Sequence, residues 1–577
     1  MNSAVAILLA AGIYLGMYFS YGKALQNKVV RADPNRPTPA HRLYDGVDYV
    51  PAHPLVLYGH HFASIAGAGP IVGPAIAMAW GWLPGLLWVW FGNVFIGAVH
   101  DYLALMSSVR YDGKSVQWIA GKLMSRRTGI AFELYIWFAL LLVVAAFTAV
   151  IAGIFHKTPE AATASILFLV TAIIVGWLMY KTSLHFVGST LVGLTLLVIS
   201  VWLGFKYPIH ASYHAWAIFL LFYIIIAASL PVWILLQPRD YLNAYILWFG
   251  LILGGLAFII IGSKGTFTAP AYTTWSAHVV GGKPSPFWPT IPLVIACGSL
   301  SGFHSIVGSG TSSKQLDNEI HGLMVGYGGM FTEGFLSTIV IASIAVYGIK
   351  VFADAGIDIN ATNWAAIYAP KVAHVVGKVG IFAKSYAYGV QDAFGIPYKT
   401  GVVFASLWVS AFALTSLDTA TRLGRFAWQE LFGMFMDTSS GTGKTITNKW
   451  LASIIIAGLG VALAWGNQWL ILWPAFSGMN QMLASIALMT AALWVTKVQR
   501  AGKWSWAVLI PALFLWITVT LALLWFLVVV VPGISAVATR YAVGIITLTG
   551  IGLNFLLAFD FWEAWKRPAE EYEAAKA

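Results

Sequence analysis

Length, composition and charge exclude most classes of soluble protein. The chain has 577 residues, of which 59% are hydrophobic and only 10% are charged, and its mean hydropathy is +0.78. Such a chain is too apolar for a soluble domain and predicts a polytopic membrane protein. The net charge of +11 does not indicate a nucleic-acid partner, because the basic residues occur singly between apolar runs and act as topology signals. The single cysteine, Cys297, excludes an intramolecular disulfide and a multi-cysteine metal site, and we interpret it as a small apolar residue.

Apolar runs predict an all-α polytopic membrane protein with about fifteen transmembrane helices in a single domain, 1–577. Each run is about 18 to 29 residues long, which is enough to cross the hydrocarbon core. The runs lie at 3–21, 60–79, 83–108, 131–154, 163–180, 185–205, 214–235, 242–263, 288–310, 320–348, 400–417, 449–466, 468–496, 504–530 and 541–561. Lysines follow the first run, and no basic residue precedes it. It therefore predicts a membrane anchor with an outside N-terminus rather than a cleaved signal peptide.

Basic residues between the runs predict which side faces the cytoplasm. If every run crosses, the basic first and third loops lie on the same side as the basic residues at 422–449, 497–503 and 566–567. By the positive-inside rule this side, with the C-terminus, is cytoplasmic. The long loop 349–399 then lies outside. Its segment 363–391 has the spacing of an interfacial amphipathic helix, and a lid over an external vestibule is the alternative.

Two glycine-interrupted segments break the pattern of ordinary membrane helices. The first, GHHFASIAGAGPIVGP at 59–74, contains four glycines and two prolines. These residues lower helix propensity or remove backbone donors, so we expect a broken helix that is buried in protein rather than exposed to lipid. The pattern F-x-S-I-x-G-x-G occurs at 62–69 and again at 303–310. The sequence therefore predicts two Gly-broken helices.

The two broken segments also predict an internal repeat. They lie seven crossings apart, and an odd separation places them in opposite orientation. We therefore expect an inverted repeat, with the first copy around 59–205, the second around 288–496, and extra helices at the N- and C-termini. Paired glycine-interrupted segments in two halves of a membrane protein indicate the substrate site of a transporter.

The broken segments supply the candidate substrate-binding residues. Unwound backbone and half-helix N-termini at 67–69 and 308–310 are suited to a carboxylate and a monovalent cation. The candidates are His60, His61, Ser64, Gly67, Ala68, Gly69, His304, Ser305, Gly308 and Ser309. No metal site is predicted, because the histidines have no H-x-x-H spacing and no regularly spaced carboxylate.

Ionisable residues inside apolar runs are the candidate proton-coupling groups. Asp101 and Glu333, with His100 beside the first, lie where desolvation favours a neutral, protonated carboxyl. Buried histidines are less suited to bind a proton, because desolvation disfavours their charged form. Two alternatives stay open: His100 and Asp101 satisfy one another near the interface, or Glu333 makes a structural hydrogen bond.

A third polar segment, 414–425, offers candidate gating or structural residues. Ser416 or Asp418 can cap a helix, and Asp418 with Arg422 has the i, i+4 spacing of an intrahelical ion pair. A structural cap with a cytoplasmic ion pair is the main interpretation, and gating is the alternative.

Three stretches of the chain are long enough to be specific motifs. They read HHFASIAGAGPIVGP at 60–74, WGWLPGLLWVWFGNVFIGAVHDYLALMSSVRYDGKS at 80–115 and TSLDTATRLGRF at 415–426. Together they resemble the carbon starvation protein (CstA) family of bacterial and archaeal membrane transporters. The resemblance implies uptake of short peptides or pyruvate-like carboxylates when carbon is scarce, driven by protons. It also implies a LeuT-type (APC-type) inverted-repeat fold in the cell inner membrane, with no enzymatic activity and no cofactor.

A different function class accounts for the histidines. A membrane-embedded, histidine-ligated metalloenzyme would use His60, His61, His100 and His304. A channel is disfavoured, because the sequence shows no repeated selectivity rings. The expected partners are a small-molecule substrate, protons and the lipid bilayer. A small accessory protein or a homo-oligomer is left open.

Overall fold

The computed structural model describes residues 1–46, 48–182, 186–230, 234–295, 297–466 and 469–575. Within these residues, the chain is helical apart from its loops and one two-stranded antiparallel sheet of β1 (Ser276–His278) and β2 (Pro284–Pro286). The α-helices are α1 (Ser3–Met17), α2 (Pro39–Arg42), α3 (Pro54–Ile65), α4 (Gly69–Ala77), α5 (Trp82–Leu87), α6 (Ala98–Arg110), α7 (Val116–Leu123), α8 (Arg126–Lys157), α9 (Pro159–Lys181), α10 (Phe186–Lys206), α11 (Tyr213–Ser229), α12 (Leu236–Ile260), α13 (Phe287–Val294), α14 (Phe303–Gly310), α15 (Gly329–Asp354), α16 (Trp364–Lys371), α17 (Lys378–Phe394), α18 (Tyr398–Gly433), α19 (Gly441–Ile446), α20 (Lys449–Ala464), α21 (Trp469–Leu493), α22 (Trp506–Trp525) and α23 (Val537–Lys566).

Local side-chain chemistry sets several helix starts. The side chains of Asn2, Ser125 and Asn448 accept hydrogen bonds from backbone N–H groups in the first turns of α1, α8 and α20. Such caps satisfy donors that have no partner inside the helix. Between α5 and α6 the helix continues through a π-helical stretch, Trp88–Gly97, so that one span runs from Trp82 to Arg110.

The chain is an all-α polytopic membrane protein. Eleven helices in the described part of the chain are long and apolar enough to cross a membrane, and α3 with α4, bent by 48°, brings the number to twelve. The sequence predicted about fifteen runs, which is more than these twelve spans, for two reasons. The runs 214–235 and 449–466 coincide with α11 and α20, which have only 17 and 16 residues. The run 288–310 is divided between two eight-residue helices, α13 and α14. Positions 185, 231–233, 296 and 468 of the runs lie outside the described residues.

The two copies of the eight-residue pattern adopt different structures. In the first copy, α3 ends at Ile65 and α4 begins at Gly69, so the break lies inside the pattern. In the second copy, all eight residues form α14, and the break precedes it. Pro70 accounts for the difference, because proline lacks the backbone N–H that a continuing helix would use and is favoured in the first turn of a new helix. The second copy has no proline there, and its break contains Gly298 at a φ of +86°, which favours glycine.

The long segment after α15 packs on the protein. The Trp364 indole donates to the Met78 carbonyl at 2.8 Å, and the Tyr368 hydroxyl donates to the Ala75 carbonyl at 2.7 Å. Helix α17 buries one side against α4, α12, α15 and α18. The single helix expected at 363–391 is therefore divided into α16 and α17, which pack beside the C-terminal end of α4, and its place at the membrane interface stays a prediction.

The basic loops contact one another on one face of the molecule. Arg36, before α3, and Arg110, at the end of α6, both pair with the buried Glu319 before α15, at 3.2 and 2.8 Å. Arg127, in the first turn of α8, pairs with Asp560 near the end of α23. Arg31 also donates to the Arg500 carbonyl, and Lys497 donates to the Arg567 carbonyl. These contacts gather on one face the first and third loops, 497–503 and 566–567, but they do not include 422–449.

Candidate functional site

The two helix breaks touch. Gly69 begins α4 directly beside Cys297 in the second break, and a Cβ on this glycine would lie only 2.6 Å from the cysteine Sγ. From α15, the Ser337 hydroxyl donates to the Pro70 carbonyl at 2.8 Å. A side chain at Gly69 would therefore separate the two breaks. The backbone of the first break at Gly69 thus packs directly against the Cys297 side chain of the second break.

Amide side chains satisfy the irregular backbone of the second break. The Asn93 amide donates to the carbonyls of Gly298 and Met330, both at 2.7 Å. Gln481 donates to the Ile295 carbonyl at 2.6 Å. The Asn480 side-chain oxygen accepts the Phe303 N–H at 2.8 Å. Inside a membrane protein, an unsatisfied backbone group costs several kcal/mol, so these amides stabilise the break.

A buried chain of acidic and imidazole groups lies beside the breaks. The Asp101 carboxylate on α6 is 2.7 Å from Nδ1 of its neighbour His100 and 2.7 Å from Nδ1 of His304 on α14. The other ring nitrogen of His304, Nε2, is 3.6 Å from the Glu333 carboxylate on α15. None of these four side chains is exposed. The structure thus brings together the three predicted coupling residues and joins Asp101 to Glu333 through one imidazole.

Cys297 belongs to the same cluster. Its Sγ lies 3.8 Å from Nε2 of His304, and it is buried. The interpretation of Cys297 as a small apolar residue is therefore incomplete. Neither carboxylate oxygen of Glu333 has a hydrogen-bond partner among the described residues.

The first break carries a second group of predicted residues. A Cβ on Gly67 would lie 2.6 Å from the Ser416 Oγ on α18 and 3.0 Å from the Phe147 ring on α8. The Ser416 hydroxyl is buried and has no partner in the described part of the chain. Ser64 and Ala68 are also buried here. A polar donor with no partner therefore faces the unwound backbone.

The two adjacent histidines point in different directions, because successive residues of a helix lie about 100° apart around its axis. Nδ1 of His61 lies 2.8 Å from the Ser312 hydroxyl, and its side chain is fully buried. His60 turns toward Asp240 at 3.7 Å and keeps 22% of its side chain exposed. Only His61 therefore faces the interior between the two broken segments. The structure does not bring the four histidines of the metalloenzyme alternative together as ligands among the described residues.

The end of α14 differs from the expectation. Residues 308–310 are the last turn of this helix, not unwound backbone or a helix N-terminus. The Ser305 and Ser309 hydroxyls donate to nearby backbone carbonyls, those of Gly302 and Ser305, at 2.7 and 2.6 Å. A Cβ on Gly308 would lie 3.6 Å from the backbone of Leu105 on α6. The prediction of a ligand-binding break at 308–310 is therefore wrong, since the break lies upstream, between the end of α13 and the start of α14.

The predicted pair on α18 is also wrong. Asp418 forms a buried ion pair with Arg239 and accepts the Tyr223 hydroxyl at 2.8 Å. Arg422 donates instead to the carbonyls of Ala227 and Leu230. Asp418 and Ser416 cannot cap α18, because the helix continues through both. The buried Arg239 is the stronger partner, since an arginine beside an apolar run needs a carboxylate.

Comparison with known proteins identifies the family. The family model described as "Carbon starvation protein CstA" matches residues 2–522. The chain belongs to the CstA family. It is 32% identical to the "Peptide transporter CstA" of Bacillus subtilis over 100% of both chains. It is 31% identical to the "Pyruvate/proton symporter BtsT" of Escherichia coli, over 90% of this chain and 81% of the symporter. The family resemblance inferred from the motifs is therefore confirmed.

A comparison of folds gives a weaker likeness. Mutants of the manganese transporter of Eremococcus coleocola align with 88% of this chain and 95% of theirs, at a TM-score of 0.42 and 13% identity. The sequence relatives are transporters, so this CstA-family protein is a membrane transporter and not the metalloenzyme considered as the alternative.

Sequence reasoning missed several residues around this CstA-family site. Asn480 and Gln481 stand together in the apolar run of α21, and two adjacent amides there could have been noticed as partners for a broken helix. Arg239 and Asp240 stand at the start of the run 242–263 and could have been noticed in the same way. No local pattern marks Cys297, and the pattern around Ser416 predicted a helix cap rather than a hydroxyl that faces the first break.

Proposed function

We propose that this protein is a secondary active transporter that imports short peptides or a small carboxylate such as pyruvate together with protons. The observation that carries the proposal is the buried chain from Asp101 through His304 to Glu333, at the contact of two broken helices. Two carboxyls joined by an imidazole can hold and pass a proton where water is excluded. The names of the relatives, a peptide transporter and a pyruvate/proton symporter, support this choice of substrates.

The substrate is bound at the first break in this proposal. The N–H groups that begin α4 at Gly69 carry the positive end of the helix dipole, which favours a carboxylate. The Ser416 hydroxyl faces the same backbone from α18 and is free to donate. Phe147 supplies an apolar wall from α8. Together these groups suit a small molecule with one carboxylate and an apolar remainder.

Charge balance links the two sites. Moving an anion into a buried site has a large desolvation cost unless a positive charge enters with it. A proton taken up between Asp101 and Glu333 supplies that charge a short distance away. The substrate anion and the proton then cross the membrane with no net charge. Substrate binding and protonation of the carboxyls should therefore depend on one another.

The proposal includes the architecture and the orientation. Two oppositely oriented repeats around 59–205 and 288–496, of the LeuT type, would allow outward-open and inward-open states around a fixed site. The contact between the two breaks supports this arrangement. The N-terminus would lie outside and the C-terminus in the cytoplasm of the cell inner membrane. The basic loops gathered on one face support this orientation. A gating role for Asp418 and Arg422 also stays a proposal.

Uptake into proteoliposomes tests the function. Labelled pyruvate and a labelled dipeptide are offered separately, with an acidic outside and again with the gradient collapsed by a protonophore. We expect one of the two to accumulate only with the gradient. Entry of neither compound would contradict the substrate class, and accumulation that ignores the gradient would contradict proton coupling.

A matched pair of variants tests the role of Glu333. Glu333→Gln keeps the shape and mimics the protonated state, so we expect it to exchange labelled for unlabelled substrate but not to concentrate it. Glu133→Gln is the control, because Glu133 on α8 is also a buried carboxyl but is not part of the chain from Asp101 to Glu333. Full accumulation of substrate by Glu333→Gln would show that Glu333 does not carry the transported proton.

A further inference from the structure

Three metal-binding side chains converge beside the helix breaks. The Cys297 Sγ, the His304 Nε2 and a Glu333 carboxylate oxygen all lie within 4.8 Å of one another, and all three residues are buried. They come from the second break, α14 and α15. The sequence predicted no metal site, because the three residues are separated along the chain and only the fold brings them together.

The separations match a zinc-type site. With Zn–S near 2.3 Å and Zn–N or Zn–O near 2.0–2.2 Å, tetrahedral geometry places neighbouring ligand atoms about 3.4–3.6 Å apart. The observed separations are 3.8 Å from Sγ to Nε2 and 3.6 Å from Nε2 to the carboxylate. The third separation, from Sγ to the carboxylate, is at most 4.8 Å, so the three donors would need to move inward by about 1 Å or less to surround one ion. Three protein ligands leave a fourth position open, as in sites that exchange a bound molecule.

The surroundings of His304 are those of a metal ligand. A ligating histidine almost always donates its other ring N–H to a carboxylate, backbone carbonyl or water, which fixes the tautomer and orients the ring. Here Nδ1 of His304 faces Asp101 at 2.7 Å, so Nε2 is left with its lone pair toward Cys297 and Glu333. The second observation is Glu333, whose two buried oxygens lack a hydrogen-bond partner among the described residues and face this point.

The donor set selects the class of ion. Magnesium and calcium prefer oxygen ligands, whereas one thiolate, one imidazole and one carboxylate suit zinc and similar divalent ions. Binding releases the thiol proton of Cys297 to solvent. The thiolate and the Glu333 carboxylate then bring two negative charges, which balance a divalent cation in a site that excludes water.

We propose that Cys297, His304 and Glu333 bind a zinc-type divalent cation, and that the bound ion stops proton-driven transport. The inhibition rests on the proposed function, because the ion occupies His304 and Glu333, through which the proton would pass. The binding itself does not rest on it. An ion between α14 and α15 would also tie the second break to its neighbour.

Cobalt is the probe, because a cobalt–thiolate bond gives a charge-transfer absorption in the near ultraviolet. The full-length protein is purified in detergent without an affinity tag, stripped with a chelator and titrated with Co²⁺. Since Cys297 is the only cysteine, such a band can come from no other residue. We expect the band to saturate at one ion per chain and to disappear when Zn²⁺ is added.

Variants assign the ligands. Cys297→Ser should remove the band completely. Asp101→Asn should keep it but weaken Co²⁺ binding about 10–100-fold, as expected for loss of a group that orients a ligand. Glu133→Gln, the buried carboxyl on α8, should bind Co²⁺ as the parent does. Gel filtration of each variant separates loss of the site from loss of the fold.

Two outcomes overturn the proposal. One is the absence of a thiolate band from correctly folded parent protein at saturating Co²⁺, and the other is equal Co²⁺ binding by the parent and Cys297→Ser. In liposomes, Zn²⁺ should block accumulation by the parent over the same concentrations at which it displaces Co²⁺ from the site. The cobalt band is measured in detergent and does not depend on transport. A protein that binds cobalt but transports without protons would therefore contradict the proposed function and leave the metal site standing.

Discussion

Among single residues, the buried arginine on α12 depends strongly on its charged neighbours. The Arg239 side chain is 1% exposed and pairs with Asp418 and Asp240. Lys566 and Glu563 form an ion pair on α23 whose side chains are 53% and 47% exposed. Removing one partner of a buried pair costs about 3–5 kcal/mol, because it leaves an uncompensated charge, whereas an exposed pair contributes at most about 1 kcal/mol.

We therefore expect Arg239→Met to lower the thermal unfolding temperature strongly and Lys566→Met to leave it almost unchanged. Unfolding in detergent can be followed with a dye that fluoresces on reaction with the buried Cys297 thiol. Adding Asp418→Asn to Arg239→Met should recover part of the loss, since it removes one of the two unpaired carboxylates. Equal shifts for the two methionine variants would contradict a stabilising role for the Arg239 pairs.

Residue chemistry also explains which members of the site the sequence could predict. Asp101, Glu333 and His304 are visible because an ionisable group in an apolar run is rare and costly. Their grouping is not visible, because α6, α14 and α15 are brought together only by packing. Cys297 and Ser416 belong to residue types that pack in any membrane helix, so the sequence does not show that they lie beside the two breaks.

Among the elements, the helix break at 66–68 controls how closely two segments approach. Gly69 has no room for a Cβ, since Cys297 Sγ would lie 2.6 Å away. Gly308 has room, since its nearest neighbour, the Leu105 backbone, would lie 3.6 Å away. Both glycines belong to the repeated pattern, Gly69 as the last residue of the first copy and Gly308 as the sixth of the second, but they differ in packing.

We expect Gly69→Ala to abolish substrate accumulation, because a methyl group there pushes the two breaks apart. Gly308→Ala is the control and should retain at least about half of the parent uptake, because its methyl group meets only ordinary van der Waals contacts. Both variants should insert into the membrane, which immunoblotting of membrane fractions would check. Comparable uptake by the two variants would show that the close approach at Gly69 has no role in transport.

Sequence similarity predicted two broken helices but not where each one breaks. The eight-residue pattern marks small residues, and small residues allow either a break or close packing. Pro70 decides the first case, and Gly298, outside the pattern, accounts for the second. An element can therefore be located by its pattern while its conformation depends on the neighbouring residues.

At the scale of the whole molecule, average composition was sufficient to predict that the chain is a membrane protein. Hydropathy adds up along a run, so the helices were located well, whereas the number of crossings depends on breaks and on short helices such as α11 and α20. Orientation depends on the basic loops. Those loops contact one another through Arg110, Arg127 and their carboxylate partners.

This gathering of basic loops predicts a definite pattern of labelling from outside the cell. His278, at the end of β1, lies on the exposed part of the loop between α12 and α13, which we assign to the outside. Lys122 on α7 and Ser439 before α19 are exposed within loops that we assign to the cytoplasm. Single cysteines at these three positions, each in a Cys297→Ala background, should therefore differ in their reaction with a membrane-impermeant maleimide. We expect His278→Cys to react in intact cells, and Lys122→Cys and Ser439→Cys only after permeabilisation. Reaction of either of the last two in intact cells would reverse the orientation, because the positive-inside rule places all the basic loops on one side.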